Sequence, residues 1–356
     1  MKYISALGVL ARSLRASLLG GLAVLGCGNA LAAPAAGTIY IPVDDENSVY
    51  VFNTNTGALT TKIGVGTHPI VLKALPDGSK VYVDNFGLLP WQVSVINTAT
   101  NTVSKTISMM GDPYASFELS KDGRYLYVPT NANVVQVIDT TTDSIVRTIP
   151  TAMGPMAVQV SPDGSKLYVF NTSNGLEVYN TATGQRLSAI TVSGMVPAWS
   201  AISPDGIYVY SLNFTTSNIT KIDTRTMTIA DTITLPAGSW PLSGTLTPDG
   251  RKMWVADIGT YDVTVIDMTT DKIVRKMPTT NAPAFVGLSP DGTKAYLSDL
   301  GPVSALPPAL RFFIYDFFYV LPPGLTGHVT TYDTSTFQQV GNVLSTGTGP
   351  VAGVYF

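Results

Sequence analysis

Apolar and polar residues alternate with a period of two through most of this chain. Runs such as "VVQVID" (134–139) and "DVTVID" (262–267) are rich in β-branched residues and bounded by turn-forming ones, which predicts short two-faced strands. Between many of them stands a Pro/Lys-Asp-Gly turn, with Asp at 77, 122, 163, 205, 249 and 291 and gaps of 45, 41, 42, 44 and 42 residues. Its glycine supplies a positive φ and its aspartate bonds its own backbone two residues on. Five positions after each Asp comes an aromatic: Tyr82, Tyr127, Tyr168, Tyr210, Trp254 and Tyr296. A second marker, Asx-x-x-Thr, closes a strand at Asn53, Asn97, Asp139, Asn180, Asp223, Asp267 and Asp333.

Six copies of one marker and seven of the other have a single reading. The repeat begins at "TIYIPVDDENSVYVFNTNTG" without a first strand, and the chain ends on "GTGPVAGVYF", which matches only that strand. Joining the two ends in one sheet closes a ring and removes its free edges. Four antiparallel strands per roughly 43 residues, seven times over, predict an all-β, seven-bladed β-propeller across residues 38–356. The units "SPDGSKLYVFN" with "LEVYNTATG", and "SKDGRYLYVPTN" with "VVQVIDTTT", resemble the YVTN family of β-propeller repeats. That resemblance implies an exported seven-bladed protein; many of its members have no assigned activity. A fold shared this widely leaves function to the site it carries.

The first residues agree with export. Lys2, Arg12 and Arg15 precede an apolar run from Ala16 to Gly26, and Asn29-Ala30-Leu31-Ala32 offers the small residues a signal peptidase needs, so 1–32 reads as a signal peptide cleaved after Ala32. The expected location is periplasmic or secreted. A lipid anchor on Cys27 is the lesser reading, because Leu25 is bulky where a lipoprotein box wants a small residue. Cleavage would remove the single cysteine, and with it disulfide and thiol chemistry. It would leave 18 basic against 24 acidic residues (21 − 3 = 18), a net charge of −6, which argues against tracking nucleic-acid phosphates.

Candidate chemistry falls on one face. In a propeller the Asp-Gly and Asx turns share one side; the loops leading into each innermost strand, and those between strands two and three, share the other, here called the top. The inbound loops "GTHPIV", "GDPYAS", "MGPMAV", "MVPAWS", "GSWPLS", "TNAPAF" and "GTGPVA" differ where a ligand would be met, at His68, Asp112, Tyr114, Trp199, Trp240 and Phe285. Both histidines, His68 and His328, map to this face, and His68 with Asp112 forms the candidate acid–base pair. Asn85, Thr130, Asn171, Asn213, Asp257 and Asp299 end the second strands. They either bond loop backbone there or form a polar ring for a ligand. No calcium-loop spacing is present, so neither a metal nor another cofactor is expected, and Asp44-Asp45-Glu46 reads as a solvated loop.

One blade departs from the repeat. Successive Asx markers lie 44, 42, 41, 43, 44 and then 66 residues apart, which puts about 23 extra residues at 301–327, in a top-face loop. They include "ALRFFIYDFFYVL" (309–321), too short as a helix to cross a bilayer of about 30 Å. Phe313 and Phe317 would share one helical face. The insertion is a lid on the channel mouth that shows those rings to a ligand, a docking surface for a membrane or partner, or a self-packed loop. Trp91 is a second apolar intruder on the same face.

Two function classes follow. The first is a noncatalytic, monomeric binding or scaffold propeller that recognises a small, partly apolar ligand or a protein partner on its top face. The alternative is an enzyme, a lyase, cyclase or lactone hydrolase, with its site at the top-face channel mouth under the 301–327 insertion.

Overall fold

The structure, a computed structural model, describes residues 33–87, 89–114, 116–173, 175–192, 196–302 and 325–356. The signal-peptide segment and most of the insertion, with Phe313 and Phe317, lie outside the described residues.

Seven four-stranded antiparallel sheets form a propeller. Blade 1 runs from its innermost strand outward as β4 (Pro69–Ala74), β5 (Lys80–Asn85), β6 (Gln92–Asn97) and β7 (Thr102–Ser108), and the later blades repeat this plan. Blade 7 is composite. The C-terminal strand β28 (Val354–Tyr355) lies innermost against β1 (Thr38–Val43), followed by β2 (Ser48–Asn53) and β3 (Ala58–Gly64). Its register sets Ile39 opposite Tyr355 and Tyr40 opposite Val354, while Phe356 donates its N–H to Thr38 O at 2.9 Å. The strand missing at one end of the sequence is therefore supplied by the other.

The turns show why the period is kept. Gly78 sits at φ +70° and donates to Leu75 O at 2.8 Å, while Asp77 Oδ1 accepts the Ser79 N–H at 2.9 Å. The threonine after the Asx residue then reaches back to this turn: Thr98 Oγ1 donates to Gly78 O at 2.6 Å, and Thr140, Thr181, Thr224 and Thr334 repeat the bond. The two turns of a blade on the lower face are thus tied together by one hydroxyl.

The marker aromatics are buried between blades. Tyr82 of blade 1 packs with Leu126, Val128 and Ile138 of blade 2, and Trp254 of blade 5 with Val286, Ala295 and Leu297 of blade 6. Burial of each such ring contributes about 1.5–3 kcal/mol and fixes one blade on the next. At the axis the innermost strands surround a cavity of about 450 Å³. On its wall Lys73 and Glu118 of adjacent blades pair at 2.7 Å, and Trp199 meets Phe285 with ring centroids 5.5 Å apart. These two rings line the channel wall, on β16 (Pro197–Ile202) and β24 (Pro283–Leu288).

Candidate functional site

At the junction of blades 7 and 1 the top face gathers several of its polar side chains. After Val43 the chain makes a single 3₁₀ turn, Asp44–Glu46, and leaves it through Asn47 in the left-handed region at φ 49°. The N–H groups of Asp44 and Asp45 bond Gly349 O and Thr348 O at 3.0 and 3.4 Å, which anchors the turn to the loop that leads into the C-terminal strand. Asp44 is fully buried, whereas Asp45 opens toward solvent.

His68 arrives from the neighbouring loop. Its N–H bonds Asn47 Oδ1 at 3.0 Å, its carbonyl accepts from Phe86 N at 3.0 Å, and its Nδ1 lies 2.9 Å from Asp44 Oδ1. The backbone there has φ 49°. Two of the other inbound loops have glycine before the equivalent proline, Gly154 at φ 71° and Gly349 at φ 77°, and glycine takes this region without strain. A β-carbon there costs about 1–2 kcal/mol. Trp240 does the same at φ 49°, its ring stacked on Phe214 at 5.9 Å.

Electrostatics separate the members of the cluster. Burial pushes the Asp44 carboxyl up to about 6, with the His68 bond pulling the other way. The bond to Asp44 holds the His68 imidazole above its ordinary value, with Asp45 and Asp112 adding to the effect. Asp112 is buried and its Oδ1 accepts the Gly87 N–H at 2.6 Å. Partial burial of Tyr114 first, and then the Asp112 charge, raise the Tyr114 hydroxyl. Asp84, on the face of β5 that carries Tyr82, is fully buried with neither carboxylate oxygen hydrogen-bonded. Burial first and then Asp112 hold it well above the usual carboxylate range.

The structure does not bring the remaining candidates to this point. Asn171 donates to Glu177 Oε2 at 3.2 Å and Asn213 to Thr220 Oγ1 at 2.8 Å; Asp257 accepts from the Thr264 hydroxyl and Asp299 from Gly301 N at 2.9 Å. Asn85 and Thr130 behave likewise, toward Ser94 and Val134 O. These groups are buried and latch the second strand to the third or to its outgoing loop. Burial also raises Asp257, whose neighbour Asp262 adds to the shift. Trp91 is half-buried against the cluster between blades 1 and 2. His328 stands 3.5 Å from Asp299 Oδ1 and from Asn281 Nδ2, a second and looser His–Asp contact.

In the sequence Asp44 and Asp45 read as a solvated loop, and no metal is expected there. The structure corrects the loop for Asp44, which the blade 7 to blade 1 junction buries, and it gathers Asp44, Asp45 and His68 so that one ligand atom from each lies within 4.8 Å of the others. A cleft of about 710 Å³ on the lower face is larger than the axial cavity. Its carboxylates Asp122, Asp139 and Asp163 are all engaged within their own turns.

No family model matches the chain. A seven-bladed β-propeller protein of Mycobacterium tuberculosis is 32% identical over 128 residues, a match spanning 35% of this chain and 32% of that protein. The chain therefore spans about a third of that relative's length. Among solved structures, hydrazine synthase of Kuenenia stuttgartiensis superposes with a TM-score of 0.59 at 22% identity, covering 76% of this chain and 95% of that one. Dihydro-heme d1 dehydrogenase, solved in complex with DHE, gives 0.65 at 16% identity over 91% of this chain and 76% of that one. These likenesses show the propeller fold.

Proposed function

We propose that the chain is an enzyme whose active site lies on the top face at the junction of blades 7 and 1, of the lyase, cyclase or lactone-hydrolase class. The observation that carries this reading is the bond from His68 Nδ1 to the buried Asp44 carboxylate. Such a bond orients the ring and raises its affinity for a proton, as a positioned acid–base group requires. The His68 side chain keeps 16% of its surface, enough for a substrate to reach it, while Asp44 keeps none. The Asp112 carboxylate adds to the field that holds the His68 ring above its ordinary pKa. A positive φ held on a histidine where sister loops use glycine adds support, because local strain of this kind concentrates at functional sites.

One likeness lends weight: both solved structures named above are, by name, enzymes. Export after Ala32, membership of the YVTN repeat family, a monomeric state and contact of residues 309–321 with ligand or membrane belong to the same proposal. A panel of lactones, esters and β-elimination substrates tests it. Turnover by the wild type should fall at least about 100-fold in His68→Ala, the usual scale for loss of an acid–base group. Undiminished turnover would remove His68 from the chemistry.

A further inference from the structure

We propose that Asp44, Asp45 and His68 bind one divalent transition-metal cation of the Zn²⁺ or Mn²⁺ type. The three residues come from two blades, yet one ligand atom from each falls within 4.8 Å of the others. A single ion that takes oxygen and imidazole nitrogen at about 2.0–2.2 Å closes that span with a small inward shift.

A second observation points to a ligand independently of the clustering. The Asp44 side chain has no exposed surface, and while its Oδ1 meets His68, its Oδ2 has no hydrogen-bond partner. A His–Asp ion pair accounts for the first oxygen and leaves the second buried and unpaired, which is costly in a folded protein. A cation removes that cost. The turn is also held in place beforehand by the bonds from Asp44 N and Asp45 N to the 348–349 carbonyls.

Ligand chemistry sets the class of ion. One imidazole with two carboxylates suits zinc, manganese or iron, whereas calcium and magnesium prefer oxygen alone. Three protein ligands leave coordination positions open, as in catalytic rather than structural sites. The other top-face histidine provides a contrast: the Asp299 Oδ1 near His328 already accepts from Gly301 N and Asn281 Nδ2, each at 2.9 Å. No third metal-ligating residue joins that pair among the described residues.

This inference rests on the reading of the top face as the active site and changes one role in it, with His68 holding the ion instead of carrying the proton; cation binding is measured without substrate, so the two can fail separately. The experiment is calorimetric titration of the tag-free, chelator-treated full chain with ZnCl₂, MnCl₂, CaCl₂ and MgCl₂. One zinc or manganese ion per chain is expected, with calcium and magnesium at least tenfold weaker. Asp44→Asn and His68→Gln should each weaken zinc binding at least tenfold, and His328→Gln should leave it unchanged. If Asp44→Asn does not fold, Asp45→Asn on the solvent side gives the same readout. Absence of saturable binding, equal binding by the variants, loss of binding on His328→Gln, or calcium binding as tight as zinc overturns the proposal.

Discussion

His68 Nδ1 lies 2.9 Å from Asp44 Oδ1, although the two residues are 24 positions apart and belong to different blades. The contact exists because blade 7 is assembled from both ends of the chain. The C-terminal loop at 346–350 holds the Asp44 turn, and blade 1 swings His68 onto it. Closure of the ring and construction of the site are therefore one event.

Closure can be weakened directly. Tyr355 stacks on Tyr296 with centroids 4.3 Å apart and planes 10° off parallel. Tyr355→Ala should lower the unfolding free energy by about 2–4 kcal/mol through lost packing and stacking. Urea denaturation checks this, with the midpoint falling at an unchanged slope.

Backbone strain at position 68 should be visible in a pair of variants. At φ 49° glycine is at ease and alanine is not. His68→Gly should be more stable than His68→Ala by about 1 kcal/mol, although both delete the same imidazole. Equal denaturation midpoints would show that the loop relaxes when the side chain is lost.

Asp84 gives a pH-dependent expectation. Its folded pKa is raised by burial, so its favourable contribution is fully present below its unfolded value near 4 and is lost as pH rises toward the folded value. Asp84→Asn should therefore stabilise the protein by about 1–3 kcal/mol at pH 8 and change little at pH 3. Melting temperatures of the two proteins at both pH values measure the difference.

The lower-face turns behave in the opposite sense. Asp163 and Asp291 are both held down to about 2, first by the Ser161 and Ser289 hydroxyls respectively. Bonds from Ser165 and Thr293 follow. A depressed folded pKa contributes stability that is present above about 4 and lost as pH falls through 2. Asp163→Ala should lower the melting temperature at pH 7 and lose most of that effect at pH 2, as read by circular dichroism.

The fold was legible because its turns are chemical and periodic. Asp-Gly, the marker aromatic five residues on and the Asx-Thr turn each recur in sequence where they recur in space, and the missing first strand announced its donor. The site was legible only in part. His68 stood out as one of two histidines, but its partner could not be read, because the pairing depends on how β1 and β4 are juxtaposed around the ring. Asp44 looked solvated in a run of three acids, and its burial comes from the 346–350 loop more than 300 residues away. Two signals were nonetheless present. Glycine at 154 and 349 marks a left-handed position that His68 shares. Asp84 occupies a strand position held by Phe170, Leu212 and Ala256 in sister blades, where a charge is out of place.

Turnover across the lactone, ester and elimination panel, compared between the wild type and His68→Ala, decides whether the top-face histidine is catalytic. At least one substrate should be turned over by the wild type and slowed about 100-fold or more by the substitution, with the fold intact by circular dichroism. A substrate processed equally well by both proteins would contradict it.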